Sequence, residues 1–458
     1  MINRFTPNKP DHPNAYRERF NPQFSQLADL TELRNVSWYI HLLARLTAFL
    51  FVFTVAFILR IIDTIKSSPI KSDFTKPVTV LLTAGSASEN WLKNHLLPLS
   101  RSEKCHQIIF IGDEPVSPTE KIRYLCPPHW MKLIFGRTPS RLITYFIFAF
   151  RCKPDICGGF HLIPNAVFAL IAARLINAQS LYFCVGGRTE FLGGASHNEH
   201  FPFGCTGRND ATLEYQLLAL IDRFDRIVTM GTGAKKLLQH FEIDSPIEVI
   251  PGGIDPKRFI PGSNTPAHDL IITCRLVPVK RLDIFLQVVS LLRKTLPNIR
   301  AVIVGNGEER YPLEKIAADL KITDNVWFAG RQDDIPSYLQ HSRLFVLTSD
   351  SEGLALSLME AMMCGLPAVV SNVGDLGDLV ENGKNGYLVK RRDVHTFAEK
   401  IRELLTDENR WKTFSKHARE SAMKISLSAS TQRWTNFLQV VPETFRALEE
   451  QRMEAAKQ

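Results

Sequence analysis

The sequence predicts an α/β protein made of two doubly wound parallel sheets, and three observations carry that expectation. From Val78 onward, apolar runs of four or five residues alternate with helical stretches, the rhythm of strands joined by crossover helices. The chain has 458 residues, more than one ordinary core holds, so two domains with additions are expected. Between two such series of strands stand Gly252-Gly253 and the segment Pro256 to Pro261, the punctuation of a domain boundary.

Taken in order, residues 1 to about 35 are polar, with frequent Pro and Asn, and are expected to be poorly ordered. Val36 to Ile62 is rich in Phe, Leu and Ile. Its uncharged stretch, Leu46 to Leu59, has 14 residues, short of the roughly 20 that a simple span needs. Arg45 and Arg60 bracket it and can snorkel. So many large apolar side chains would otherwise need an extensive partner surface, and a membrane-associated helix is the preferred reading over a packed core helix. Basic residues lie on both sides, so the positive-inside rule sets no orientation. A cleaved signal peptide is disfavoured, since the apolar region starts late and no small-residue cleavage site follows closely.

The first series of strands is predicted at Val78–Leu82, Gln107–Ile111, residues 180–185, Arg226–Met230 and Ile247–Ile250. A helix is expected after Ser86 to about Leu97 and another over Pro164–Leu175, where proline is tolerated in the first turn. Trp130 to Phe150 is strongly apolar with Lys132, Arg137 and Arg141 spaced through it, as a membrane-facing amphipathic surface would be, though a core helix fits nearly as well. The second series begins at Leu270–Thr273 and continues with Ala301–Val304, Val326–Ala329, Leu344–Thr348 and Pro367–Ser371. Helices are expected over about 282–296, 311–320 and 394–405 and from about Arg410, and the charged run Glu443–Lys457 is expected to be a solvated helix. The expected division is 1–70 for the tail and membrane-associated helix, 71–255 and 256–425 for the two sheet domains, and 426–458 for a terminal helix.

Composition narrows the class. Apolar residues are 45% and charged residues 22%, ordinary for a globular protein. The net charge of +8 suits anionic ligands or acidic lipid. No basic helix with interleaved aromatics stands out, so nucleic acid is not an expected partner. Eight cysteines form no Cys-x-x-Cys pair and several lie in apolar runs, which fits reduced, buried thiols and a cytoplasmic catalytic half and disfavours zinc.

The most informative segment is Ser351 to Gly365, where Glu352 and Glu360 stand with seven residues between them. It lies between two predicted strands and forms a strand–turn–helix–strand unit whose turn is at a strand's carboxyl end, where open α/β sheets bind ligands. Backbone N–H groups at Gly353 and Leu354, read as the helix start, suit phosphate; the carboxylates suit hydroxyls. With a helix from Gly353, Glu360 lies about 10 Å along its axis, the length of a nucleotide diphosphate-sugar. Glu360 also sits in an apolar run, where a carboxylate needs a partner, and a ribose diol would supply one. Arg275 and Lys280 follow another predicted strand, and a guanidinium fork with an ammonium is a complementary pair for a diphosphate.

These residues resemble a known family. The Glu-x7-Glu segment is similar to the signature of retaining glycosyltransferases of the GT-B fold, family 4. Cys274-Arg275-Leu276-Val277-Pro278-Val279-Lys280 resembles that family's phosphate clamp, Ile250 to Asp255 its interdomain turn, and Ala368 to Val389 its following loop and strand. The match runs from about residue 245 to 405. The resemblance implies two Rossmann-like domains facing across a cleft, and transfer of a sugar from a nucleotide-diphosphate donor to a glycan or lipid-linked acceptor with retention. It implies that Arg275 and Lys280 hold the diphosphate, Glu352 the sugar and Glu360 the ribose. Cys274 stands where the family has Gly, and the strand at 180–187 lacks the family's His.

Around this core stand weaker candidates. Gly85 and Gly305 follow strands and are read as backbone approaching phosphate. His161 and Gly186 are assigned to the acceptor side, and Gly186, Gly187, Gly193 and Gly194 make a flexible loop that also holds His197 and His200. The segment "TAGSAS" is not the dinucleotide fingerprint, which counts against an oxidoreductase. No Asp-x-Asp occurs, so the basic pair is expected to neutralise the leaving group with no metal and no cofactor beyond the nucleotide sugar as co-substrate. Two other readings stay open: a non-catalytic sugar-nucleotide-binding member of a polysaccharide assembly complex, and a GT-B epimerase or phosphorylase.

Overall fold

The computed structural model describes residues 30–65, 76–85, 88–117, 119–192, 210–262 and 266–439. The amino-terminal tail before residue 30, the loop with Gly193, Gly194, His197 and His200, and the run 443–457 lie outside the described residues. Two compact units are present, residues 1–51 and 52–458, and the break falls within the first helix, α1 (Leu30–Ile65). In the first unit the described chain is helical.

The second unit carries two parallel sheets. The first is built from β1 (Val78–Thr83), α2 (Glu89–Arg101), β2 (Cys105–Ile111) and β3 (Ile122–Leu125). The chain continues through α3 (His129–Phe135), α4 (Arg137–Cys152), β4 (Ile156–Phe160), α5 (Val167–Ile176) and β5 (Gln179–Cys184). It ends with α6 (Ala211–Ile221), β6 (Arg226–Thr229), α7 (Thr232–His240) and β7 (Ile247–Val249). The strand order is β3-β2-β1-β4-β5-β6-β7. Side chains of β1 alternate between layers: Val80 and Leu82 join one apolar cluster and Leu81 another. Both faces are therefore covered, as an all-parallel sheet requires.

The second sheet repeats this plan. Its elements are β8 (His268–Thr273), α8 (Leu282–Arg293), β9 (Ala301–Val304), α9 (Arg310–Asp319) and β10 (Val326–Gly330). Then follow α10 (Ile335–Gln340), β11 (Ser342–Leu347), α11 (Leu356–Met363), β12 (Ala368–Ser371) and β13 (Gly386–Val389). The order is β10-β9-β8-β11-β12-β13. In each sheet the order reverses beside the first strand, between β1 and β4 and between β8 and β11, which makes two topological switch points. Helices α12 (Val394–Thr406), α13 (Glu408–Met423) and α14 (Leu427–Gln439) close the described chain. The last of these returns to the first sheet, where Trp434, Phe437 and Leu438 are buried in its core.

Three expectations are corrected. The apolar stretch Trp130–Phe150 is two helices broken at Gly136, whose φ of 80° interrupts the spiral. Strand β3 went unrecognised because its four residues, Ile-Arg-Tyr-Leu, carry too little pattern. Helix α11 starts at Leu356, not Gly353, with Ala355 as its N-cap.

Candidate active site

Lys280 and Glu352 meet at the second switch point. The chain leaves β8, makes a short 3-10 turn over Pro278–Lys280 and enters α8; β11 leads into the turn that bears Glu352. Lys280 Nζ donates to Glu352 Oε1 at 2.6 Å, and Ser349 Oγ donates to the same oxygen at 2.5 Å. The two charged side chains are only 16% and 8% exposed. Burial works to lower the ammonium's pKa, but attraction and hydrogen bonding by Glu352 outweigh it and hold Lys280 above its ordinary range. Arg275 is exposed beside this pair and its charge acts on Lys280. The neighbouring Arg281 is committed elsewhere, to Asp283 and Asp350. Cys274 packs against the core, where burial pushes its thiol up to about 12.

Close backbone approach explains the glycines of this wall. Gly305 has a φ of 147°, and a Cβ there would collide with the Cys274 carbonyl, so the turn after β9 is held tight against the clamp loop by the protein itself. A Cβ on Gly353 would meet Val185 O at 2.8 Å. The Glu352 turn is thus pressed against the end of β5, and Leu354 touches the cores of both sheets. The carboxyl ends of the two sheets face each other here.

Glu360 lies one helix further in, 4% exposed on α11. Its carboxylate accepts from Asn90 Nδ2 at 2.6 Å and from Asn94 Nδ2 at 3.4 Å, both on α2 of the opposite sheet. Arg258 Nη1 donates to Asn90 Oδ1 at 2.8 Å. Burial raises the Glu360 pKa to about 7 despite Asn90, Arg258 and Asn94, which lower it. The protein's own asparagines therefore supply the partner that burial demands.

The amino wall is formed at the first switch point. A Cβ on Gly85 would lie 3.7 Å from the Arg141 guanidinium, which is buried and paired with Asp113 and Asn165. Gly85 thus abuts a cation on α4, a helix of its own domain. His161 follows β4 with a φ of 64° and Nδ1 3.0 Å from Glu190 Oε1. Gly186 N donates to that same oxygen at 2.5 Å. Beside them His95 is held neutral, its pKa lowered to about 3 by burial and then by His161.

A second seam closes the cleft further out. Asp375 Oδ1 accepts from Gly233 N at 2.9 Å, and Asp378 accepts from Thr232 N and Oγ1 at 2.5 and 2.6 Å. Two carboxylates of one sheet thereby cap the amino end of α7 in the other. Sequence reasoning missed Asn90, Asn94, Glu190, Asp375 and Asp378; the Gly-Thr-Gly at 231–233, opposite a loop with two aspartates, is the one local hint. Among the described residues no group of three His, Cys, Asp or Glu is placed to hold a metal.

Comparison with known proteins agrees with this geometry. Residues 254–421 match the family model described as glycosyl transferases group 1. The chain is 28% identical over 250 residues to poly(ribitol-phosphate) alpha-N-acetylglucosaminyltransferase of Staphylococcus aureus, covering 52% of this chain and 48% of that one. It is 27% identical over 278 residues to UDP-Gal:alpha-D-GlcNAc-diphosphoundecaprenol alpha-1,3-galactosyltransferase of Escherichia coli, covering 57% and 68%. The fold is similar to that of Anabaena HepE in complex with UDP-glucose, with a TM-score of 0.62, 18% identity, and coverage of 79% and 99%. Residues 254–421 are thus similar to glycosyl transferases group 1, and the two sheets have the GT-B fold.

Proposed function

We propose that the protein transfers a hexose from a nucleotide-diphosphate-sugar to a hydroxyl of a glycan or lipid-linked acceptor, with retention and without a metal. The observation that carries this reading is the buried Lys280–Glu352 pair at the β8/β11 switch point, since crevices at such points of open α/β sheets hold ligands. The leaving diphosphate takes the charge of Lys280 and Arg275, with backbone N–H groups around Gly353 and Leu354 and the turn at Gly305 beside it. Glu352 accepts from the sugar hydroxyls and Glu360 from the ribose, displacing Asn90 and Asn94. In a front-face route the bond from the anomeric carbon to the phosphate oxygen breaks as the acceptor oxygen bonds the same face. The acceptor's proton passes to the departing phosphate, so no protein nucleophile is needed. Gly85 faces the donor phosphates across the cleft, and His161 and Gly186 belong to the acceptor side.

We also place the enzyme at a membrane, with its sheets in the cytoplasm. Supporting this, α1 contains a 21-residue stretch, Arg45–Ile65, long and apolar enough to cross a membrane by length and composition alone. Helices α3 and α4 expose Trp130, Leu133, Ile134, Phe135, Ile143 and Ile147, beside Lys132, Arg137 and Arg151, the mixture that seats on anionic lipid. A panel of UDP-, GDP- and ADP-sugars, assayed for transfer to membrane extracts, tests the reading. Wild-type chain is expected to transfer from one donor, and Lys280→Ala and Glu352→Ala to lose transfer while keeping the fold. A Lys280→Ala chain of near-normal rate would refute the phosphate assignment.

A further inference from the structure

Glu190 is 2% exposed, in the short 3-10 turn Gly187–Glu190 that follows β5. A carboxylate so deeply buried is costly unless its oxygens are satisfied, and here four groups converge on it. Oε1 accepts from Gly186 N at 2.5 Å and faces His161 Nδ1 at 3.0 Å. Oε2 accepts from Leu162 N at 2.7 Å and Tyr182 OH at 2.8 Å. Strands β4 and β5 are already joined by their own ladder, so the fold does not need a charge there. What Glu190 gathers are the groups that emerge from those strands into the cleft.

Two further facts give the gathering a direction. His161 is held at a φ of 64°, a backbone state that a ring-bearing residue adopts at a cost of about 1 kcal/mol or more and that clusters at functional sites. The loop tied down by Glu190 is also the loop against the Glu352 turn, since Val185 O lies against Gly353. We propose that Glu190 is a positioning residue for the transfer reaction: it fixes the His161 ring and the Gly186 N–H opposite the Lys280–Glu352 pair. A carboxylate on Nδ1 favours the tautomer with the proton on that nitrogen and makes Nε2 the acceptor. The ring so held accepts from a sugar or acceptor hydroxyl, a contact that ordering by Glu190 makes available without reorganisation.

The inference rests on the function proposed above, and kinetics of the full-length chain test both. The probe is whichever of UDP-glucose, UDP-galactose, UDP-N-acetylglucosamine and GDP-mannose the wild type turns over fastest. Glu190→Gln and His161→Asn are each expected to lower kcat at least tenfold, with donor KM within threefold. His161→Asn exchanges one L side chain for another at the same backbone state, φ 64° and ψ 143°, and leaves Glu190 its backbone donors, so it carries the test if Glu190→Gln fails to fold. Because Glu190 acts through His161, adding Glu190→Gln in the His161→Asn background should cost no more than a further threefold. Kcat within threefold of wild type for His161→Asn, or the same loss from Glu190→Gln in both backgrounds, overturns the positioning role alone. Wild-type chain that turns over none of the four donors overturns the function and this inference together.

Discussion

Replacing Glu360 with Gln should stabilise the protein at pH 8 while weakening its hold on the donor. The carboxylate is 4% exposed, and its pKa in the folded chain is about 7, against 4.5 for an unburied group. A folded pKa above the unfolded one means that the native state binds the proton more tightly. Stability is therefore greatest below about pH 4.5, falls as pH rises towards 7 and is flat above. At about 1.4 kcal/mol per unit, the ionised carboxylate costs the fold up to about 3 kcal/mol at pH 8. Gln keeps an oxygen for Asn90 and Asn94 and never ionises. For a domain of 150–250 residues, 1 kcal/mol moves Tm by about 2–4 °C, so a rise of about 5–10 °C is expected at pH 8, and almost none at pH 4.5. Scanning calorimetry at the two values measures it. A destabilised variant at pH 8, or an equal gain at both values, would show that α2 and Arg258 already compensate the charge. The same variant should raise the donor KM about tenfold, the loss of stability-costly but functional charge that active sites often show.

Other consequences concern the closed cleft and the membrane. Gly353→Ala puts a Cβ 2.8 Å from Val185 O, so it should part the walls and lower kcat at least tenfold with Tm little changed; unchanged kcat would mean that the turn relaxes freely. Asp378→Asn exchanges a carboxylate cap on α7 for an amide, which should cost about 0.3–1 kcal/mol and increase protease cleavage between the two sheets; unaltered cleavage would deny the seam a role in closure. Removal of residues 1–70 should release the protein from sedimenting membranes, and equal sedimentation of truncated and full-length chains would remove the anchor from the picture.

The parts of this molecule governed by local pattern were legible in its sequence. Strands such as Ala301–Val304 and the Glu352 unit announce themselves by apolar runs ending in small residues, and Lys280 and Glu352, 72 positions apart, are in contact as their places at two strand ends imply. Contacts that join one sheet to the other were not legible. Asn90 and Glu360 are 270 positions apart, and neither asparagine differs in pattern from an ordinary helix-surface residue. Glu190 shows only as one acid in a Gly-rich loop, because its burial depends on how β4 and β5 end. That the carbonyl of Cys274 excludes a side chain at Gly305 was not legible either, since it depends on how the clamp loop packs. Sequence pattern places residues at strand ends; which polar groups then meet is decided by packing of the whole unit.

The decisive measurement is calorimetric titration of the full-length chain with the nucleoside diphosphate of its donor, beside the Lys280→Ala variant. A charge-assisted hydrogen bond is worth about 1.5–3 kcal/mol, so removing the ammonium should weaken binding about ten- to a hundredfold. Equal affinity for the two chains would mean that the diphosphate binds somewhere other than the crevice between β8 and β11.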